Sequence, residues 1–132
     1  MNEHQKNENK QPMKLAALQS VLMFFARRII VKYKPVIIGV TGNVGKTTTK
    51  DAMLMSLRGD ASDESVYASS KNYNNELGVP LSIIGAQAQG HSIGGWMSVF
   101  TKGLTLAFFN KQYPKTIILE MGIDKPGDMD LL

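Results

Sequence analysis

The chain has no cysteine, which excludes disulfides and thiolate metal sites and agrees with a reducing compartment. Aromatic residues are 8% of the 132 and do not interleave with the basic ones. Base stacking therefore has little to work with, and no nucleic acid is expected as a partner. Long apolar runs are also missing. The longest unbroken run near the N-terminus, Val21 to Ala26, falls far short of the ~20 residues a membrane-crossing helix needs. A secretory leader is not read either, because the start is acidic and amide-rich, lacks a clean basic region, and is followed by no small-residue cleavage site.

What the chain has in excess is positive charge. The net value is +4, and Lys6, Lys10, Lys14, Arg27, Arg28, Lys32 and Lys34 all lie near the N-terminus. This suits an anionic partner, or a solvated or membrane-facing basic segment. With 43% apolar residues the chain can bury the core of one modest domain and not of a second. Residues 1–12 are polar and read as a disordered tail. Residues 13–34 read as an apolar, basic helix, clearest from Leu15 to Val31 and interrupted by Gln19, Ser20, Arg27 and Arg28. Two readings of that helix stand: it packs on the domain or on a partner, or it lies at the inner membrane face with its arginines among the headgroups.

Tyr33-Lys34-Pro35 ends the helix, and the run Val36 to Val40, bounded by Pro and Gly, reads as a buried parallel strand. Behind it stands Gly42-Asn43-Val44-Gly45-Lys46-Thr47-Thr48, then a helix-forming stretch from Lys50 to Arg58 with Gly59 as its C′ residue. This is the arrangement of a phosphate-binding loop. Gly42 and Gly45 permit positive φ and a close backbone approach to an anion, at which several N–H groups then point. Lys46 adds a compact charge within reach of β- and γ-phosphate oxygens, and Thr47 offers a hydroxyl to Mg²⁺. The positive end of the helix dipole acts in the same place. The spacing departs from the common Gly-x-x-x-x-Gly-Lys-[Ser/Thr] form, since Gly39 falls one residue too early.

Further along, Asp60 to Glu64 reads as a polar loop, Ser65 to Ala68 as a short strand, and Val79 onward as a helix with Pro80 in its first turn. Gln87 to Gly95 is a glycine-rich loop. Trp96 to Asn110 is a second apolar helix that covers the sheet, with membrane contact as the alternative. Thr116 to Met121 is a strong strand ending in Glu120. Strands alternating with helices imply a parallel α/β sheet, and in such sheets ligands sit at the carboxyl ends of the strands. Glu120 therefore shares an edge with the glycine-rich loop and can reach Mg²⁺. Asp124 and Asp128 fit N-cap duty better than metal binding. The cluster Asn72-Tyr73-Asn74-Asn75-Glu76 suits either local turn geometry or a polar substrate beside the nucleotide.

Together, Gly39-Val40-Thr41-Gly42-Asn43-Val44-Gly45-Lys46-Thr47-Thr48-Thr49-Lys50, Asn72 to Leu81, Leu119-Glu120-Met121-Gly122 and Pro126-Gly127-Asp128 resemble the central ATPase domain of the Mur ligases, over about Lys34 to Leu132. The irregular loop spacing is the form that family uses. The resemblance implies a phosphate-loop α/β domain over residues 35–132, incomplete at its C-terminus, behind the N-terminal helix. It also implies an ATP- and Mg²⁺-dependent, ADP-forming amide ligase of peptidoglycan precursor synthesis. In that reaction the carboxylate of UDP-N-acetylmuramoyl-tripeptide becomes an acyl phosphate, and the amine of D-Ala-D-Ala attacks it. Carried over by position, Gly42 to Thr48 would bind ATP, Lys46 and Glu120 would be catalytic, Thr47 and Glu120 would hold Mg²⁺, and Asn74 and Asn75 would lie by the muramoyl substrate. A cytoplasmic monomer is implied, at the inner membrane face if the helix is interfacial.

The departures set further expectations. The 41 residues before Gly42 are too few for the family's N-terminal uridine-binding domain. Leu132 comes before its metal-binding histidine, its carbamylated lysine and its C-terminal domain, and Asp124-Lys125 stands where an Asn-His pair is usual. A fragment, or a member with a replaced N-terminus, is expected to be inactive alone. The alternatives are a nucleotide-binding or membrane-associated module without catalysis, and a sibling ligase acting on folate, cyanophycin or another muramoyl peptide.

Overall fold

A computed structural model describes residues 10–60, 62–70 and 77–122. The element order is α1 (Lys10–Tyr33), β1 (Val36–Val40), α2 (Lys46–Leu57), β2 (Val66–Ala68), α3 (Gly78–Ile84), α4 (Ile93–Leu104), a π-helical turn (Thr105–Phe109) and β3 (Thr116–Glu120). The three strands form one parallel sheet in the order β1-β3-β2. The α/β reading with a parallel sheet is borne out. Ile117, Ile118 and Leu119 of β3 are almost wholly enclosed, because a central strand between two neighbours buries both of its faces.

α2 lies on one face of this sheet, where Met53 and Leu54 pack against Val40, Val66 and Ile118. The other helices make their own layer. Leu22, Phe25, Ala26 and Ile29 recur at helical spacing along α1 and are buried with Leu81, Ile83 and Ile84 of α3 and Val99 of α4. Each enclosed Leu, Ile or Phe contributes roughly 1.5–3 kcal/mol, which anchors α1 firmly on its neighbours. Packing on the domain is thus the observed state of this helix. Among the described residues no helix is long and apolar enough to cross a membrane.

Several boundaries differ from the sequence reading for local reasons. α1 starts at Lys10, earlier than Met13, and ends where Lys34 takes a left-handed φ of 49° just before Pro35. α2 starts at Lys46 instead of Lys50, its β-branched threonines accommodated in the first turn despite their modest helix propensity. Gly59 is not a left-handed C′ residue; Arg58 is the C-cap in an extended conformation, and its side chain donates to the Val66 carbonyl. α4 begins at Ile93, three residues before Trp96, with the Ser92 hydroxyl accepting from Gly95 N at 3.1 Å. It packs chiefly on α1 and α3, not on the sheet as expected.

The end of α4 widens into the π-helical turn, where Asn110 N donates to Thr105 O at 2.8 Å. The loosened carbonyls find partners on α1: Lys32 Nζ donates to Leu106 O and Asn110 O, and the single Tyr33 hydroxyl proton is shared between the same two, 2.9 and 2.6 Å away. In the Asp60 to Ser65 loop, hydrogen bonds from Ser62 and Ser65 hold the Asp60 and Asp63 carboxyls below the usual carboxylate range.

Candidate functional site

The parallel register sets the position of the site. Val40 is paired with Glu120, and Met121 N donates to Val40 O at 2.9 Å, so β1 and β3 end side by side at their carboxyl edge. The chain leaving β1 turns through Gly42, φ 144°, and Gly45, φ 79°. Gly45 is the N-cap of α2, and with φ in the left-handed region it offers no side chain to the first turn. No acidic residue stands in that turn, so nothing anionic in the helix itself offsets its positive end. Asn43, Val44 and Thr48 are exposed, Val44 at 93%. An apolar tip so open lies away from any core.

Lys46, the first residue of α2, folds back so that Nζ donates to Gly42 O at 2.6 Å. Its ammonium thus ties the start of α2 back to the beginning of the turn. Thr47 Oγ1 lies 3.1 and 3.2 Å from the two oxygens of Glu120. The structure therefore brings Gly42, Gly45, Lys46, Thr47 and Glu120 together. Glu120 is itself buried, at 5% exposure, and its backbone N donates to Ser69 Oγ at 3.3 Å.

Lys50 and Ser69 were not singled out in the sequence. Lys50 is buried at 4% exposure, and its Nζ donates to Ser69 O at 2.8 Å and lies 3.6 Å from Glu120 Oε2. A signal for it exists: Thr47 and Lys50 are three residues apart and so share a face of α2. Lysine is nearly always exposed, which hides that signal. Ser69 is reached only through the pairing of β2 with β3.

Beyond Ser69, a cleft of about 450 Å³ is lined by Ser70, Gln87, Gln89, Ser98 and Lys102. Gln87 Nε2 donates to Ser70 Oγ at 3.3 Å, and Lys102 Nζ to Gly85 O at 2.6 Å. The Asn72 to Glu76 cluster with Asn74 and Asn75, and likewise Asp124, Asp128 and the Pro126-Gly127-Asp128 segment, lie outside the described residues.

Glu120 and Thr47 are hard oxygen donors of the kind Mg²⁺ accepts. Among the described residues no group of three or more His, Cys, Asp or Glu could hold a metal alone. That donor set fits an ion completed by water and phosphate oxygens, which is how Mg²⁺ is commonly bound.

Fold and site define a parallel α/β protein whose glycine-rich turn and buried acid meet at the carboxyl edge of adjacent strands. Among the known proteins similar to it are two ligases. A UDP-N-acetylmuramoyl-tripeptide–D-alanyl-D-alanine ligase of Synechocystis sp. is 40% identical over 72 residues, 53% of this chain and 14% of that protein. The enzyme of the same name from Bacillus subtilis is 30% identical over 118 residues, 89% of this chain and 19% of that protein. The chain thus spans less than a fifth of either relative. No protein-family model matches the chain, and neither does any solved structure. The two matches bear out the resemblance to the Mur ligases read from the sequence.

Proposed function

We propose that this chain carries the ATP-binding part of an amide ligase of peptidoglycan precursor synthesis, which adds D-Ala-D-Ala to UDP-N-acetylmuramoyl-tripeptide through an acyl phosphate. The observation that carries the reading is the meeting of Thr47 with Glu120 beside the Gly42 to Thr48 turn. In this reading the backbone N–H groups of Gly42, Asn43, Val44, Gly45, Lys46, Thr47 and Thr48 bind the phosphates of ATP. Lys46 leaves Gly42 O for the transferred phosphoryl group and offsets the charge it gathers. Thr47, giving its proton to Glu120, turns lone pairs toward the metal, and Glu120 supplies the negative charge there. Thr47 and Glu120 would hold Mg²⁺, which would supply positive charge to offset that of the phosphates. Asn74 and Asn75 would contact the muramoyl substrate.

Mg-ATP should raise the melting temperature of the chain, and Lys46→Ala should abolish the rise. An equal rise in both proteins would sink the assignment. For the ligase step, ADP release by the protein that contains this chain should require both UDP-N-acetylmuramoyl-tripeptide and D-Ala-D-Ala. Release with another amino substrate alone would move the assignment to a sibling ligase.

A second reading rests on a separate observation. No acidic residue occurs from Lys10 to Lys50 or from Leu77 to Leu119, so the α1 and α4 layer is cationic throughout. Its outer side exposes Phe24, Val31, Leu104, Phe108 and Phe109, with the Arg28 guanidinium 5.2 Å from the Phe108 ring centroid. Basic heads above bulky apolar groups are the chemistry that holds a helix on an anionic lipid surface. We propose that this layer rests on such a membrane face. Sedimentation with phosphatidylglycerol vesicles, absent with phosphatidylcholine and reduced by Arg28→Glu, is expected; equal binding to both, or to neither, would refute it.

A further inference from the structure

The proposed handling of ATP leaves one buried cation unused. Lysine normally runs its stem along the surface and keeps its ammonium in water, yet Lys50 is buried among α2, β2 and β3. Its ammonium is fixed by Ser69 O at 2.8 Å, and the enclosed carboxylate beside it is Glu120, at 3.6 Å. Asp51, at 4.0 Å, is largely exposed and screened. A buried ammonium and a buried carboxylate each need the other, because either alone would be an uncompensated charge in a medium that solvates it poorly.

This pairing bears on what the site accepts, given the metal-binding reading above, on which the inference rests. A free divalent cation approaching Glu120 meets the ammonium of Lys50, 3.6 Å from Glu120 Oε2, and that of Lys46, held on Gly42 O of the adjoining turn. A metal bound to a nucleoside triphosphate arrives as a net anion. The same two lysines attract it. We propose that Lys50 is the built-in counter-cation of Glu120, a positioning residue that holds the carboxylate beside Thr47 and makes the site select the metal–triphosphate complex over the free metal. Ser69 is the second tether: its carbonyl aims Lys50 and its hydroxyl receives the Glu120 amide.

The test uses Mn²⁺ as the probe, read by the electron paramagnetic resonance of the free ion, with and without ATP. Lys50→Gln keeps a donor for Ser69 O and drops the charge. It should bind free Mn²⁺ about tenfold tighter than the wild type while binding Mn-ATP more weakly. A role in folding alone gives no gain in affinity for free metal. If Lys50→Gln melts early, Mn²⁺ without nucleotide should raise its melting temperature more than that of the wild type, since the ion replaces the missing charge. Free-metal affinity that is unchanged or weaker, or a variant that stays unfolded with Mn²⁺ present, would overturn the proposal. Glu120→Gln separates the two ideas. Mn²⁺ binding indifferent to Glu120→Gln removes the metal-binding reading and this inference with it. Binding lost in Glu120→Gln but unaltered in Lys50→Gln removes this inference alone.

Discussion

Thr47 and Glu120, 73 positions apart in the chain, meet at 3.1 Å where β1 and β3 end together. A hydroxyl has one proton to give, and a carboxylate takes it in preference to a neutral acceptor. Thr47→Val keeps the side-chain shape and removes that bond, at a cost of about 1 kcal/mol in stability. It should also erase most of the Mg²⁺ dependence of the ATP-induced melting shift, leaving the shift measured in EDTA unchanged. Thr47→Ser should behave as wild type. A Thr47→Val protein that responds fully to Mg²⁺ would remove the hydroxyl from the metal site.

Gly45 has φ 79°, and a Cβ built there would meet nothing within 4 Å. The penalty for a side chain is therefore backbone strain and not collision. Gly45→Ala should cost about 1–2 kcal/mol, and Gly45→Asn less, because asparagine tolerates the left-handed region. Chemical denaturation of the two variants checks this. If the larger asparagine proves the more costly, crowding is the cause.

The reverse holds at Gly103, where an added Cβ would come within 2.9 Å of the Phe25 ring. Helix propensity alone favours alanine, by up to about 1 kcal/mol. Overpacking against an aromatic ring costs roughly 1–3 kcal/mol, so Gly103→Ala should destabilise the α1–α4 contact by about 1 kcal/mol net. Gly94→Ala, with nothing within 4 Å, is the control and should be neutral or slightly stabilising. Destabilisation of the same size at both positions would contradict the close approach.

Tyr113 stacks on Tyr33 with ring centroids 4.8 Å apart and donates its hydroxyl to the Ile83 carbonyl, joining α1, α3 and the approach to β3. Burial pushes its pKa well above the ordinary 10.0, and the neighbouring Tyr67 and Tyr33 add to the rise. The folded chain therefore favours the neutral phenol. The corresponding stability is fully present below about pH 10 and is lost as pH climbs beyond it. Tyr113→Phe should cost about 1 kcal/mol at neutral pH and fall less steeply than wild type above about pH 10. Parallel alkaline profiles for the two proteins would rule out this role.

What could be read in the residues was what depends on near neighbours. Val36 to Val40 and Thr116 to Glu120 are short apolar runs bounded by turn formers, and both are strands, but among the described residues β1 is an edge strand in which only Val40 is buried, not the buried strand its run implied. The glycines of the β1–α2 turn marked left-handed positions that the structure contains at Gly45. Helix ends were harder. The start of α2 at Lys46 was obscured by its threonines, and α4 was placed over the sheet because an apolar stripe states that a helix is covered without stating by what.

By itself the sequence determined the strands, the glycine-rich turn, the acid that closes β3 and the relation to the Mur ligases, because these rest on local spacing and residue type. Only the tertiary structure decided that β3, last of the described strands, is the central one, and that α1, α3 and α4 form a layer of their own. It also decided that Lys50 is buried against Glu120 and Ser69. The reason is physical. A charge enters a core only where strands distant in sequence bring it an opposite charge and a carbonyl, and strand order is settled by packing the whole chain at once.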